Sequence, residues 1–266
     1  MMVQLGIIGG GVMAEAILSR ILAEKIYIGS QVLVSEPRLE RRQELVDRYG
    51  VQVTGNNWDV TEATEMVLLA IKPQVFDKIA TELAGVKLPL LVSILAGVPI
   101  SKLEAGFPDQ GIIRVMPNAP AIVGAGMSAI ASGSHTTPAQ LAQAKTLLSA
   151  VGEVVEVPES MMDAVTGVSG SGPAFVALTI EALSDGGVAA GLPRAIATQL
   201  AVQTVLGTAQ MIQETGLHPG ELKDRVTSPG GTTIAGVRQL ELGGLRSALM
   251  EAVLAAYERS QDLGRG

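Results

Sequence analysis

From Val3 to about Val157 the chain alternates short apolar runs with stretches whose apolar residues recur at helical spacing. The apolar runs predict strands at Val3–Ile8, Val32–Ser35, Val51–Val53, Met66–Ile71, Leu90–Leu95, Ile112–Met116, Met127–Ala131 and Glu153–Val157. Between them the pattern predicts helices near Val12–Ile26, Leu39–Tyr49, Val75–Leu83 and Pro138–Val151. A run such as Met66-Val67-Leu68-Leu69-Ala70-Ile71 has no polar alternation, which suits parallel strands covered on both faces. Alternating strands and helices of this kind predict a doubly wound α/β sheet.

After about Pro158 the strand pattern stops. Ser171-Gly172-Pro173 reads as a helix start with a capping hydroxyl and an early proline, and Gly186-Gly187 as that helix's end. Gly191-Leu192-Pro193 introduces a helix with Ile196, Leu200, Val205, Ala209 and Ile212 along one face. A last helix carries Leu245, Leu249, Val253 and Tyr257. The expected organisation is therefore an N-terminal Rossmann-type dinucleotide-binding domain over residues 1–159 and an all-α domain over 160–266, the boundary falling somewhere in 157–165. The helices of the second half are apolar over wider arcs than so short a domain can bury, which predicts dimerisation through them.

Composition narrows the chemistry. With 47% hydrophobic and 17% charged residues among 266, a packed core is expected, and with 3% aromatic residues that core must be aliphatic. Acidic residues exceed basic ones by 26 to 19, a net −7, which argues against a nucleic-acid or anionic-membrane surface. The longest apolar stretch, Leu88 to Ile100, is broken by Pro89, Ser93, Gly97 and Pro99 and falls short of the roughly 20 residues of a spanning helix. The absence of cysteine removes disulfides, thiolate nucleophiles and zinc–thiolate sites. A cytoplasmic enzyme fits these features.

Gly9-Gly10-Gly11-Val12-Met13-Ala14 fits G-x-G-x-x-G/A after a predicted strand and ahead of a predicted helix. Gly9 permits the tight turn, Gly11 lets backbone amides approach a pyrophosphate, and Ala14 allows close helix–strand packing. Glu36 ends the second strand, where an acid ordinarily takes the ribose 2′-hydroxyl of NAD. Yet Arg38, Arg41 and Arg42 follow at once and could grip a 2′-phosphate, so the residues leave NADH against NADPH open. A second dense motif, Thr227-Ser228-Pro229-Gly230-Gly231-Thr232-Thr233, leads into a helix; its amides and hydroxyls could hold a carboxylate, or simply cap the helix.

Several segments together resemble the pyrroline-5-carboxylate reductase family. They are Gly9–Ala14, Ala70-Ile71-Lys72-Pro73-Gln74, Met116-Pro117-Asn118-Ala119-Pro120, Met161-Met162-Asp163-Ala164-Val165-Thr166-Gly167-Val168-Ser169-Gly170-Ser171-Gly172-Pro173-Ala174 and Leu222-Lys223-Asp224-Arg225-Val226-Thr227-Ser228-Pro229-Gly230-Gly231-Thr232-Thr233. The resemblance implies NAD(P)H-dependent reduction of 1-pyrroline-5-carboxylate to L-proline, the last step of proline biosynthesis. NADPH is the expected cofactor and NADH the alternative. The resemblance also implies a helical C-terminal domain like that of 6-phosphogluconate dehydrogenase, whose dimers assemble into a decamer. By position, Gly9, Gly10, Gly11, Val12, Met13, Glu36, Arg38, Asn57, Ala70, Ile71, Lys72, Pro73, Ala96 and Arg225 would bind the cofactor. Ser228, Thr232, Thr233 and Glu159 would bind the substrate, with Thr233 also bonding the ring nitrogen as the catalytic residue. No metal is expected. Where relatives that use NADPH often have a serine near the 2′-phosphate, this chain has Glu36.

The chain holds two histidines, His135 and His218, both read as surface or capping residues, and no serine–histidine–aspartate set. For an alcohol dehydrogenase the lack of a base would be awkward. A cyclic imine readily carries a proton, and its iminium is already an electrophile, so orientation is the main requirement. A β-hydroxyacid dehydrogenase would need a lysine after the glycine turn at Gly172, where Pro173-Ala174-Phe175-Val176-Ala177-Leu178 offers none. A non-catalytic dinucleotide sensor would have no reason to keep the 227–233 loop.

Overall fold

A computed structural model describes residues 2–265, the side chain of Arg265 excepted. The strands β1 (Leu5–Ile8), β2 (Val32–Ser35), β3 (Gln52–Thr54), β4 (Met66–Leu69), β5 (Leu91–Ser93), β6 (Ile112–Met116), β7 (Gly126–Ser132) and β8 (Gly152–Glu156) form one sheet in the order 3-2-1-4-5-6-7-8. The first six are parallel, and β1 lies between β2 and β4 with Leu5 opposite both Val32 and Met66. The expectation of parallel strands fails at β7, which runs antiparallel to β6. An apolar run buried on both faces reads alike in either direction, so the pattern carried no sign of the reversal.

Period two sorts the strand side chains between two cores. Leu5, Ile7, Leu68, Val92, Ile113 and Val115 face one side of the sheet, where α1 (Val12–Ala23), α2 (Leu39–Tyr49) and α6 (Pro138–Ser149) contribute Ile17, Leu45 and Leu147. Ile8, Val67, Leu69, Leu91 and Ile112 face the other, packed by α3 (Asn57–Val60), α4 (Phe76–Glu82) and α5 (Ile100–Gly106) through Val60, Phe76, Ile79 and Leu103. The short α3 and α5 lie outside the predicted elements. A smaller cluster joins Met162 of α7 (Met162–Val165) to Ile100, Ala129 and Ala131. That packing draws the segment after 159 onto the sheet: one compact unit runs through Ser171 and takes in the stretch from Ala255 onward, and the second spans Gly172–Leu254, whereas the sequence pattern puts the change at 159/160.

The second unit is helical, built from α8 (Gly172–Ala189), α9 (Arg194–Thr215), α10 (Pro219–Arg225), α11 (Thr232–Leu242) and the first part of α12 (Leu245–Arg265). Two local details differ from expectation here. α8 starts at Gly172 as expected, but Ser171 before it has right-handed helical angles after a π-helical turn over Thr166–Gly170, so it is no extended cap. Gly186 and Gly187 do not end α8; a Cβ on Gly187 would stand 2.9 Å from that of Ala197, so the bare position admits α9. Large apolar side chains on this unit, among them Leu178, Ile196, Leu200, Leu206 and Leu249, are exposed. No helix among the described residues is long and apolar enough to cross a membrane.

Candidate active site

Because β1 to β5 are parallel, the segments that follow them emerge at one edge of the sheet, and winding reverses between β1 and β4. Crevices outside the carboxyl ends of strands at such a reversal are where open α/β sheets take ligands. The edge gathers the Gly9–Met13 turn after β1, Glu36 and Arg38 after β2, Asn57 at the start of α3, Ala70–Pro73 after β4 and Ala96 after β5.

Gly9 has φ +98°, and a Cβ there would lie 2.7 Å from the Ala70 carbonyl oxygen, so the turn abuts the 70–73 segment. Gly11 caps α1, and a Cβ on it would meet nothing within 4 Å. Its open side and the unpaired first-turn amides of α1 together form a cradle for a phosphate, and the residues present thus fit a dinucleotide. Val12 is exposed at the same helix start.

Glu36 is buried at 5% exposure, yet both its oxygens are engaged. Oε2 accepts the Gly10 N–H at 3.1 Å, and Oε1 accepts the Arg38 N–H at 3.1 Å and Arg38 Nε at 3.0 Å. Burial raises its carboxyl pKa, but these donors outweigh that and hold it below the usual carboxylate range. The three arginines have separate fates. Arg38 is 69% exposed and pairs through Nε. Arg42 is turned onto the Glu36 and Pro37 carbonyls at 2.7 and 3.0 Å. Arg41, 16% exposed, donates from Nε to the Gly10 carbonyl at 2.9 Å, from Nη1 to Glu44 at 2.8 Å and from Nη2 to Glu15. Asn57 accepts from Ser35 Oγ at 2.7 Å and donates to the Glu82 carboxylate at 3.1 Å.

The loop with Ala96 is braced on two sides. Glu159 Oε1 accepts the Ile100 N–H at 2.6 Å, capping α5, and Arg114 Nη1 at 2.9 Å. Arg114 lies in mid-strand with 11% side-chain exposure, and Glu159 with 33%. Sequence reasoning placed Glu159 on the substrate; its Oε1 is engaged in this brace. On the other side a Cβ on Gly97 would lie 3.4 Å from the Leu263 carbonyl oxygen near the end of α12, where Ser260 Oγ donates to Asp163 at 2.7 Å.

In the helical unit, Gly230 (φ +68°) turns the chain and the Gly231 N–H bonds the Ser228 carbonyl at 3.1 Å, so α11 begins with Thr232 and Thr233 in its first turn. No side chain caps this start. Ser228 and Thr232 are exposed and Thr233 half-buried, which leaves amides and hydroxyls for a carboxylate. Arg225 pairs with Glu221 one turn back at 2.8 Å. His218 Nδ1 caps α10 by accepting the Gly220 N–H, the capping role expected of it. Among the described residues no group of three or more acids and histidines could hold a metal.

Sequence reasoning missed Glu15 and Arg114. The first had a signal: an acid in the opening turn of a phosphate-binding helix needs cations nearby. Arg114, a charge inside the apolar run Ile112–Met116, needed a partner too, but nothing local named Glu159.

A mostly parallel sheet with a bare-glycine turn at its winding reversal, followed by a helical unit rich in exposed apolar residues, defines a two-domain nicotinamide-dependent oxidoreductase. Residues 4–97 match the family of NADP oxidoreductases described as coenzyme F420-dependent, and residues 159–263 match the pyrroline-5-carboxylate reductase dimerisation domain. The pyrroline-5-carboxylate reductase of Synechocystis sp. is 62% identical over 266 residues, covering 100% of both chains, and that of Arabidopsis thaliana is 45% identical, covering 98% of this chain and 96% of its own. The solved reductase of Coxiella burnetii superposes with a TM-score of 0.91 at 32% identity, covering 99% of each chain. That of Plasmodium falciparum, with NADP bound, gives 0.89 at 30% identity, covering 98% of each. The chain belongs to the pyrroline-5-carboxylate reductase family, NAD(P)H-dependent oxidoreductases that act on a C=N bond.

Proposed function

We propose that this chain reduces 1-pyrroline-5-carboxylate to L-proline with NADPH as its preferred cofactor, NADH being the lesser one. The observation that carries the reading is the bare Gly11 at the head of α1, open where a pyrophosphate would lie, at the winding reversal of the sheet. When bound, the reduced nicotinamide supplies a hydride for the imine carbon.

The chain supplies position. The amides of Gly11, Val12 and Met13 hold the pyrophosphate. The exposed guanidinium of Arg38 takes the 2′-phosphate, and Glu36, turned down onto Gly10 and neutralised by Arg38, does not bar it. Asn57, Ala70, Ile71, Lys72, Pro73 and Ala96 line the dinucleotide's path. Ser228, Thr232 and the amides at the start of α11 hold the substrate carboxylate, and the Thr233 hydroxyl bonds the ring nitrogen. The imine nitrogen takes its proton from water before transfer, so that hydride and iminium make the neutral amine of proline and no enzymic base is needed. Glu159 serves the site indirectly, through Ile100 and Arg114. The exposed apolar faces of the helical unit close a homodimer, five of which make a decamer in the cytoplasm.

Purified protein with 1-pyrroline-5-carboxylate and either cofactor, followed at the absorbance of reduced nicotinamide, tests the reading. Oxidation with L-proline formed, faster for NADPH, is expected. No oxidation by folded, assembled protein overturns it.

A further inference from the structure

Gly10 is gripped from both ends of its own residue. Its N–H is held by Glu36 at 3.1 Å and its carbonyl by Arg41 Nε at 2.9 Å. The peptide joining Gly10 to Gly11 is trans, as no cis bond occurs among the described residues. In a trans peptide the N–H points opposite to the carbonyl. Holding the Gly10 carbonyl against α2 therefore aims the Gly11 N–H away from α2, at the head of α1.

Each of the three guanidinium nitrogens of Arg41 already donates to an acceptor within the protein. Nη1 and Nη2 are taken by Glu44 and Glu15. Glu15 stands in the first turn of α1, where its charge would oppose a pyrophosphate. Arg41 and Arg48, the latter at 2.7 Å, neutralise it, and Tyr49 adds a hydroxyl at 2.8 Å. Burial raises the Glu15 pKa, but the hydrogen bonds from Arg41, Tyr49 and Arg48 outweigh this and bring it to about 2. One side chain thus orients the peptide at the head of α1 and cancels an opposing charge in that helix's first turn.

We infer that Arg41 is the positioning residue for the pyrophosphate of the cofactor, acting through Gly10 and Glu15 and not as a ligand of the 2′-phosphate. This rests on the Gly9–Met13 turn being the dinucleotide cradle.

The test uses the full-length protein and energy transfer from Trp58, the single tryptophan of the chain, to bound NADPH. Arg41→Met should weaken NADPH and NADH alike by about 10- to 30-fold, the scale of one misdirected charge-assisted hydrogen bond. It should leave kcat at saturating cofactor within about twofold, since an interaction common to ground and transition states moves KM alone. ADP, which carries the pyrophosphate, should lose affinity in parallel, whereas adenosine 2′-monophosphate should not. Arg41→Lys, which keeps the charge but not the fork, should restore part of the loss and guards against a variant that fails to fold. If NADPH and adenosine 2′-monophosphate weaken while NADH does not, Arg41 is a 2′-phosphate ligand and the inference fails. It fails equally if the wild type binds NADPH and folded Arg41→Met binds it as well. Failure of the wild type to bind either dinucleotide would instead overturn the cradle itself.

Discussion

Replacing Glu159 with alanine tests whether the acid before α7 touches substrate or holds the sheet and α5 together. The carboxylate oxygen serves two donors, the Ile100 N–H at 2.6 Å and Arg114 Nη1 at 2.9 Å. A hydrogen bond to a charged group is worth about 1.5–3 kcal/mol. Removing one partner of a buried ion pair costs about 3–5 kcal/mol, because the other charge stays behind. Arg114 meets that condition at 11% exposure, but Glu159 at 33% lies near water that can enter in its place. The lower end of the range applies, roughly 3 kcal/mol in all. For a unit of this size each kcal/mol moves the midpoint by about 2–4 °C, so a drop of roughly 6–12 °C is expected. Glu159→Gln keeps an acceptor for Ile100 and should lose about half as much. Urea unfolding followed by Trp58, which lies in the same unit as Glu159, reads the change directly. At a temperature where the variant is folded, the KM for 1-pyrroline-5-carboxylate should stay within about twofold. A Glu159→Ala protein as stable as wild type, with that KM raised about tenfold or more, would refute the reasoning and return Glu159 to the substrate.

Four further outcomes follow from the site. Gly11→Ala should melt as the wild type does yet bind NADPH at least about tenfold more weakly, while Gly9→Ala, strained at φ +98° and 2.7 Å from the Ala70 oxygen, should lose stability as well; equal melting of the two variants would contradict the geometry. Arg38→Ala should raise the KM for NADPH by about 10- to 100-fold and leave that for NADH alone, as measured by initial rates; parallel loss would remove Arg38 from the 2′-phosphate. Thr233→Ala should lower kcat by about tenfold with cofactor affinity unchanged in a fluorescence titration, and loss of both would mark Thr233 as structural. On acidification, Glu15 has its native pKa depressed from 4.5 to about 2, so its contribution is whole above 4.5 and is lost as the pH falls towards 2. Glu15→Gln should therefore flatten the acid limb of a melting-temperature profile across that window, and an unchanged slope would mean the carboxylate is not held by its cations.

Much of the fold was legible because apolar pattern and local punctuation agreed. β2 (Val32–Ser35), β6 (Ile112–Met116) and α2 (Leu39–Tyr49) have the expected bounds, and the glycine turn sits where G-x-G-x-x-A places it. What escaped was decided by partners distant in sequence. α5 has seven residues at the end of an apolar stretch, and its first amide is capped by Glu159 from 59 positions away. The direction of β7 depends on the path of the chain from β6, not on its own residues. Gly187 lies inside α8, bare where a side chain would press on Ala197 of α9. The same holds for charge. Arg38, Arg41 and Arg42 look alike in sequence, yet only the fold shows Arg41 and Arg42 turned onto backbone carbonyls and Arg38 left exposed.

The packing of Ser260–Leu263 onto Asp163 and Gly97 has a consequence for the order in which the protein is made. Domains generally fold as units while the chain is still growing. Here the sheet and its glycine turn emerge early, but the loop with Ala96 lacks one of its supports until residues beyond the whole helical unit have been translated. A nascent chain stalled before α12 can build the sheet, yet it leaves the loop after β5 with one side unsupported.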